Sequence, residues 1–194
     1  MLTLAIQAGG NSSRMGEDKA LKLFNGIPLI QHILNRISPI ADEVIITTNN
    51  PNAYRFLDVR LARDLRLGRG ALGGLYTALS SAKYDLVAVV ACDMPFANPQ
   101  VFRSARQLLV SRGADAVVPK THGGYEPLHA LYRRDACLLP IKNALDADKW
   151  KVISWFKEVE ICELGVENEA IFQNLNTPED FAKAENVYNK LYRE

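Results

Sequence analysis

Cysteine is scarce in this sequence, and its spacing suggests no shared site. The chain has three cysteines, Cys92, Cys137 and Cys162, an odd number that includes no Cys-x-x-Cys pair. This pattern favours neither a disulfide framework nor a zinc site. We therefore expect three small, buried apolar side chains in a protein of the reducing cytoplasm.

An excess of one charge and a long apolar run are missing as well. The chain carries 23 basic and 22 acidic residues, a formal net charge of +1, whereas a face that binds nucleic acid shows a clear basic excess. No apolar run approaches the roughly 20 residues that span a membrane, and the first run ends too early for a secretory signal. We expect no nucleic-acid partner, no membrane association, and a monomer or weak oligomer.

What the sequence does contain is an alternation of strand patterns and helix patterns. In 194 residues we expect one domain, 1–194, with a full hydrophobic core. The alternation in the first half predicts a parallel sheet joined by right-handed crossovers, and the less regular second half predicts a mixed sheet. The apolar run at 85–91 is typical of a central strand covered on both faces. The predicted fold class is α/β, a three-layer sandwich around a mainly parallel mixed sheet.

Proline, glycine and apolar spacing predict where the helices begin and end. Asn25 and Gly26 indicate a tight turn between two short strands, and Pro28 and Pro39 bracket the helix that follows. Thr177 is the predicted cap of the last helix. The predicted helices are 29–37, 52–56, 71–81, 99–111, 134–145 with an interruption near Pro140, 152–156 and 178–192.

The stretch from Leu2 to Lys19, LTLAIQAGGNSSRMGEDK, joins an apolar strand to a glycine-rich loop. Bare amides approach a ligand closely where no Cβ intervenes, and Arg14 and Lys19 would neutralise negative charge. The spacing matches neither the Walker-type phosphate loop nor the dinucleotide fingerprint. It favours a polyphosphate site over an ordinary loop between strand and helix.

Polar residues follow several predicted strands where those strands end. In an open parallel sheet, ligands bind at the carboxyl ends of the strands. Asp93 follows the strand at 85–91 and would suit Mg²⁺, which prefers oxygen ligands, although a turn role is equally open. Asp64 and Asn49 follow two other strands, and each is also compatible with a loop residue. His129 alternates with apolar neighbours and is predicted to be a core histidine.

Four stretches of the chain together resemble one family. The order AGG, then Arg14-Met15-Gly16, then Asp18-Lys19 resembles the signature loop of nucleotidyltransferases, most of all the molybdenum cofactor guanylyltransferases. The segments CDMPF at 92–96, EPLHALY at 126–132 and NLNTPED at 174–180 are similar to segments of the same family. The resemblance covers nearly the whole chain and implies a nucleotide-diphospho-sugar transferase-like fold.

The resemblance also implies roles for individual residues. It implies catalytic roles for Lys19, Asp93 and Arg14, and Asp93 as the ligand of Mg²⁺. Gln7 departs from the pattern, because the family usually has an apolar residue there; its backbone is the expected contact, and its amide would bear on base selectivity. The implied nucleotide and pterin contacts are Gln7, Ala8, Gly9, Lys19, Asp64, Asp93, Asn174 and Asn176.

The function that the resemblance implies is transfer of GMP from GTP to molybdopterin with release of pyrophosphate. GTP and molybdopterin are then substrates, Mg²⁺ is the cofactor, and the proteins that insert or accept the molybdenum cofactor are transient partners. Cytidylyl transfer, or nucleotidyl transfer to a phosphorylated sugar or small acceptor, is an alternative. A non-catalytic nucleotide-binding protein is a further alternative, against which the presence of both Lys19 and Asp93 argues.

Overall fold

A computed structural model describes residues 1–9 and 18–192 of the chain. These residues form ten strands and five α-helices. The strands are β1 (Leu2–Gln7), β2 (Leu23–Phe24), β3 (Ile27–Pro28), β4 (Glu43–Thr47), β5 (Arg60–Ala62), β6 (Leu86–Ala91), β7 (Ala116–Thr121), β8 (Gly124–Tyr125), β9 (His129–Arg133) and β10 (Ile161–Gly165). The α-helices are α1 (Leu29–Ile37), α2 (Gly70–Ser81), α3 (Pro99–Arg112), α4 (Arg134–Asp146) and α5 (Pro178–Tyr192).

One mixed sheet runs through the middle of the molecule. Its strand order is β10-β7-β9-β6-β1-β4-β5, with the short β8 beside β7. The neighbours from β6 to β5 are all parallel, β9 is antiparallel to both β6 and β7, and β10 is parallel to β7. The predicted α/β fold with a mainly parallel mixed sheet is confirmed.

Helices cover both faces of this sheet. One buried apolar cluster contains residues of α1, α3 and α5, and a second contains residues of α2 and α4. Successive side chains of a strand point to opposite faces, so Leu4 and Ile6 of β1 belong to the first cluster and Ala5 to the second. The result is the predicted three-layer sandwich.

Local signals predicted several elements closely. The turn between β2 and β3 has positive φ at Asn25 (49°) and Gly26 (87°), as a tight hairpin requires. Helix α1 has the predicted bounds, and Thr177 Oγ1 accepts a hydrogen bond from the N–H of Asp180 at 3.2 Å, as a cap does. No helix in the described part of the chain combines the length and apolar composition that crossing a bilayer requires.

Two helix predictions were wrong in part or whole, and a third corresponds to a helix of the 3-10 type. Residues 152–156 form turns that lead into a short 3-10 helix, Phe156–Glu158, where the buried Trp155 packs against its neighbours. The predicted helix at 52–56 is likewise a 3-10 helix, Pro51–Leu57. Helix α4 continues through Pro140. Proline removes one backbone hydrogen bond there, but the buried face of α4 holds the helix against the sheet.

The parallel strands end together at one edge of the sheet. Gln7 at the end of β1 pairs with Thr47 of β4 and with Ala91 of β6, and Thr47 pairs with Ala62 of β5. We call this edge the rim. This edge is where an open α/β sheet binds its ligands. Gln7 ends β1, and Asp64 and Asp93 come shortly after β5 and β6.

Candidate functional site

The rim is built outward from the end of β1. The N–H of Ala8 donates to the carbonyl of Thr47 at 2.8 Å, and the N–H of Cys92 donates to the carbonyl of Gln7 at 3.0 Å. These bonds tie the end of β1 to the segments that follow β4 and β6. The glycine-rich stretch therefore leaves the sheet at Gly9 from a fixed backbone position.

On one side of Gly9 lies a small polar group that we call the β5 side, formed by Gly9, Asn49 and Asp64. Asn49 Nδ2 donates to Asp64 Oδ2 at 2.8 Å. A Cβ on Gly9 would lie 3.6 Å from the same carboxylate oxygen, an ordinary van der Waals distance, so Asp64 is a close neighbour of Gly9. Burial raises the pKa of Asp64, and the Asn49 hydrogen bond opposes that rise. Asn49 thus orients Asp64, a contact that its position in a loop did not predict.

Gln7 faces helix α2, where two glycines let neighbouring groups approach. A Cβ on Gly74 would lie 2.7 Å from Gln7 Oε1, so the amide occupies the space that a side chain at position 74 would take. Gln7 is buried, and its Nε2 has no hydrogen-bond partner in the described part of the protein. The amide therefore packs between β1 and α2.

The other side of the rim brings together segments that are far apart in sequence; we call Lys19, Asp93 and Asn176 the β6 side. Lys19 Nζ donates to Asn176 Oδ1 at 2.8 Å. The N–H of Leu175 donates to the carbonyl of Asp93 at 2.9 Å. Lys19, the segment after β6 and the segment before α5 therefore lie together at this point.

Asp18 fixes the position of Lys19. Its Oδ1 accepts a hydrogen bond from the N–H of Ala20 at 3.1 Å, which caps the short 3-10 helix Lys19–Leu21. Its Oδ2 accepts from the Tyr54 hydroxyl at 2.5 Å. Burial, together with this carboxylate, raises the pKa of Tyr54 and keeps the phenol a donor. Lys19 thus starts from an anchored backbone.

The Asp93 carboxyl lies in an environment with two opposing influences. Burial raises its pKa above the ordinary value, whereas its own backbone N–H and the positive charge of Lys19 lower it. The neighbouring Cys92 thiol has its pKa raised, first by burial and then by the charge of Asp93, so it is not a nucleophile at neutral pH. The charge of Lys19 is thus one of two influences that lower the pKa of Asp93 against the effect of burial.

The donor set on the β6 side fits a magnesium ion held jointly with a substrate. In the part of the chain that the structure describes, no three His, Cys, Asp or Glu side chains come together as a metal cage. Mg²⁺ is commonly bound by one or two carboxylates, substrate phosphates and water. Asp93, a partly desolvated carboxylate after a buried strand, is a residue that could provide the protein's ligand in such a set.

The remaining predicted residues lie in different parts of the chain. Arg14 lies outside the described residues. Asn174 is exposed and precedes Leu175, which contacts the Asp93 segment. Cys137 is buried as expected, whereas Cys92 and Cys162 are only partly buried, and all three thiols are free.

His129 is a core histidine, as predicted. It is fully buried, stacked on Phe102 with ring centroids 4.5 Å apart. Its Nε2 accepts a hydrogen bond from the N–H of Asn98 at 3.2 Å, so the ring proton is on Nδ1. Burial lowers the pKa of His129 to about 4, which keeps the ring neutral.

The sequence interpretation missed two residues of α1 that contact the segment after β6. His32 Nε2 lies 3.0 Å from the carbonyl oxygen of Pro95, and Arg36 Nε donates to the carbonyl of Ala97 at 2.7 Å. A signal for His32 was present, because it lies in the apolar stripe of α1 among Ile30 and Ile33. A polar side chain on a buried helix face needs a partner.

The chain is similar to known proteins over nearly its whole length. The family model described as a MobA-like NTP transferase domain matches residues 4–159. A probable molybdenum cofactor guanylyltransferase of Natranaerobius thermophilus is 32% identical, and the match covers 97% of each chain. Another, from Pelotomaculum thermopropionicum, is 35% identical over 94% of this chain and 91% of that relative.

Solved structures of other proteins are similar to this one in fold. The crystal structure of molybdopterin-guanine dinucleotide biosynthesis protein A from Archaeoglobus fulgidus superimposes with a TM-score of 0.81 at 26% identity, covering 97% of this chain and 99% of that one. The 4-diphosphocytidyl-2C-methyl-D-erythritol synthase of Anaerococcus prevotii shares the fold, with a TM-score of 0.72 at 13% identity and coverage of 97% and 98%. From the matched residues and these relatives, the chain belongs to the family of MobA-like NTP transferase domains.

Proposed function

We propose that this protein transfers GMP from GTP to the terminal phosphate of molybdopterin and releases pyrophosphate, acting in the cytoplasm as a single nucleotidyltransferase domain, 1–194. Relatives that align over nearly the full chain are named probable molybdenum cofactor guanylyltransferases. The proposal assigns GTP to the glycine-rich stretch with the β5 side, and molybdopterin to the segment that contains Asn174 and Asn176.

The observation that carries this proposal is the hydrogen bond between Lys19 and Asn176 at 2.8 Å. The resemblance assigns Lys19 to the triphosphate and Asn176 to the pterin. A contact between them supports a site in which the two substrates meet. The bond of Leu175 to the Asp93 carbonyl supports the same arrangement, because it holds the acceptor segment against the carboxylate that would bind the metal.

Each charged group of the β6 side then has a defined task. Lys19 would offset charge on the triphosphate, with Arg14 predicted to do the same. The acceptor is a phosphate monoester, whose second pKa is about 6, so it is largely dianionic at neutral pH and needs no protein base. Catalysis then consists of positioning and charge neutralisation in an in-line displacement.

Asp93 is the residue that would hold Mg²⁺. When bound, the ion would neutralise charge on the triphosphate and on the departing pyrophosphate. Burial raises the pKa of Asp93, and the backbone N–H of Asp93 and the positive charge of Lys19 partly offset that rise.

The direct test is a product assay. The wild-type protein is incubated with Mg²⁺, molybdopterin and either GTP or CTP, and pyrophosphate and the dinucleotide are measured. We expect both products with GTP, and little of either from Lys19→Met. Absence of product with any nucleotide would contradict the enzymatic assignment, and product from CTP alone would replace GMP transfer with CMP transfer.

Transfer of another nucleotide is the second candidate, and Gln7 is the observation that favours it. Gln7 stands where the family usually has an apolar residue, and its buried Nε2 has no partner in the residues that the structure describes. Calorimetric titration with GTP, CTP, ATP and UTP, with and without Mg²⁺, separates the two candidates. A preference for GTP supports the guanylyltransferase, and a preference for CTP supports the alternative.

A further inference from the structure

Two side chains of helix α1 contact the segment that carries Asp93. His32 and Arg36 are one helical turn apart in α1, and they reach two carbonyls of residues 93–98: His32 Nε2 lies 3.0 Å from Pro95 O, and Arg36 Nε lies 2.7 Å from Ala97 O. Side chains at this spacing share one helix face. The two contacts therefore form a single support, which we call the α1 clamp.

The partner of His32 determines that the ring nitrogen Nε2 carries a hydrogen. A carbonyl oxygen can only accept, so Nε2 carries the hydrogen and donates it. Burial lowers the pKa of His32, with the charge of Arg36 acting in the same direction, whereas the bond to Pro95 opposes both. The ring is therefore neutral at physiological pH and remains a donor to Pro95.

The C-terminal helix orients both donors. The Tyr188 ring meets the His32 ring edge-on, with centroids 4.9 Å apart, and the Phe24 ring lies 4.7 Å away on another side. The Arg36 guanidinium lies 4.7 Å from the centroid of Tyr192 and donates to its hydroxyl at 2.8 Å. Aromatic contacts of this kind restrict the rotamers of His32 and Arg36.

The segment after β6 depends on such outside partners. Pro95 has no N–H, and within the segment the N–H of Ala97 bonds the carbonyl of Met94. At its two ends, Leu175 holds the carbonyl of Asp93 and His129 holds the N–H of Asn98. Pro95 and Ala97 are buried, so without the clamp their carbonyls would lose their partners in a region with little water.

We propose that His32 is a positioning residue for the divalent cation site, acting through Pro95 to hold the backbone that aims the Asp93 carboxylate, with Arg36 as a weaker second support. His32 touches neither substrate nor metal in this account. The proposal rests on the proposed function, because it assumes that Asp93 binds the metal that accompanies the nucleotide.

Two variants of His32 separate support from simple packing. His32→Phe keeps a ring between Phe24 and Tyr188 but removes the donor, and His32→Gln keeps a donor at similar reach without the ring. GTP binding is measured by calorimetry over a range of Mg²⁺ concentrations, without an acceptor. Removing a group that orients a metal ligand typically weakens metal binding about 10–100-fold. We expect His32→Phe to need about tenfold more Mg²⁺ and His32→Gln to need within about twofold of the wild-type amount.

Gln31→Ala is the matched control, because Gln31 is on the same helix and donates to Asn35 rather than to the Asp93 segment. It should match wild type. Wild-type Mg²⁺ dependence in folded His32→Phe would overturn the proposal. A loss in His32→Gln as large as that in His32→Phe would also overturn it, because the retained donor would then have preserved nothing. If His32→Phe does not fold, Arg36→Met replaces it, with a smaller increase in the Mg²⁺ requirement expected and no increase counting against the clamp.

The outcomes also separate this proposal from the proposed function. If the wild-type protein fails to bind GTP in a Mg²⁺-dependent way, the nucleotide assignment is wrong. The clamp is then read by amide hydrogen exchange, where His32→Phe should speed exchange at Ala97 and Asn98 and His32→Gln should not. Unchanged exchange in His32→Phe would show that the histidine does not support this segment.

Discussion

The two sides of the rim hold their polar groups in different ways. Next to the β5 side, a missing side chain makes the space: Gly74 gives room to the Gln7 amide, which a Cβ there would meet at 2.7 Å. On the β6 side, polar side chains hold a backbone: the buried His32 and His129 and the half-buried Arg36 bond the segment that follows β6. One side is shaped by steric fit, and the other by hydrogen bonds.

This difference teaches which changes each side should tolerate. A steric site fails when an atom is added, because a close-packed interior has no spare volume. A hydrogen-bonded site fails when a donor is removed or protonation changes, because a buried polar group is left without its partner. Variants on the two sides of the rim should therefore lose activity or stability for different reasons.

Removing the Asp93 carboxylate should abolish most activity and yet not weaken the fold. Loss of a preorganised charge typically costs about 10²–10³ in rate, and we expect that loss for Asp93→Asn in the GMP-transfer assay. Asp58→Asn is the matched control, since Asp58 is exposed and precedes β5 at the opposite end of that strand. Near-wild-type turnover in Asp93→Asn would take Asp93 out of the reaction.

The same variant has a predicted effect on stability. Burial raises the pKa of Asp93 in the folded protein, so its ionisation disfavours folding at every pH above the unfolded-state value. Asp93→Asn removes this penalty, and the melting temperature of the ligand-free protein at pH 7 should rise. A clear fall in melting temperature would show that the carboxylate serves the fold rather than the ligand.

Lys19→Met should reduce the rate by about 10²–10³ and should also move the pH profile. The positive charge of Lys19 lowers the pKa of Asp93, so without it Asp93 accepts a proton at a higher pH. Mg²⁺-dependent GTP binding should then be lost at a higher pH than in wild type as the solution is acidified. Lys190→Met, in the exposed part of α5, is the control; an unshifted acid limb in Lys19→Met would contradict the coupling.

Acid should weaken the fold through the histidine that supports the β6 side. The pKa of His129 falls from 6.5 to about 4 on burial, so its stabilisation is complete above pH 6.5 and is lost as the pH falls toward 4. That shift corresponds to about 3 kcal/mol. The raised pKa values of Asp64, Asp93 and Glu126 act in the opposite direction.

His129→Gln isolates this contribution, since its amide oxygen can accept from Asn98 and does not titrate. Urea unfolding at pH 7 and at pH 4.5 should show a smaller loss of stability for His129→Gln than for wild type. Equal losses would mean that the acid sensitivity arises elsewhere in the molecule.

Adding a methyl group at Gly73 or Gly74 of α2 should have a smaller effect on stability, and its size should depend on which atoms the new Cβ meets. A Cβ on Gly73 would lie 2.9 Å from the backbone oxygen of Arg66, whereas one on Gly74 would meet the movable end of Gln7. Gly73→Ala should lower the free energy of unfolding by about 1–3 kcal/mol, and Gly74→Ala by less. Both changes share the gain in helix propensity, so urea unfolding of the pair compares the obstacles directly, and equal losses would contradict the steric account.

The sequence predicted the sheet and most helices because their signals are local. Pro28 and Pro39 mark the ends of α1, and an unbroken apolar run marks β6. The failures at 152–156 and Pro140 have the opposite origin. There, tertiary contacts of buried residues such as Trp155 and Ile141 decide the outcome, and a short window of sequence does not contain them.

The candidate site was predictable as a list of residues but not as a set of contacts. Lys19, Asp64 and Asp93 are found from strand ends and motif resemblance. The contacts that orient them join residues between 15 and 157 positions apart, such as Asn49 with Asp64 and Lys19 with Asn176. Only the fold determines these pairs, and the His32–Pro95 contact belongs to the same class.

The central claim is that the rim binds a nucleoside triphosphate together with a metal held by Asp93. Its most direct test is calorimetric titration of GTP into wild type and Asp93→Asn, each with and without Mg²⁺. The account predicts that Mg²⁺ strengthens GTP binding to wild type, and that this increase disappears in Asp93→Asn while metal-free binding is retained. An equal increase in both proteins would contradict it.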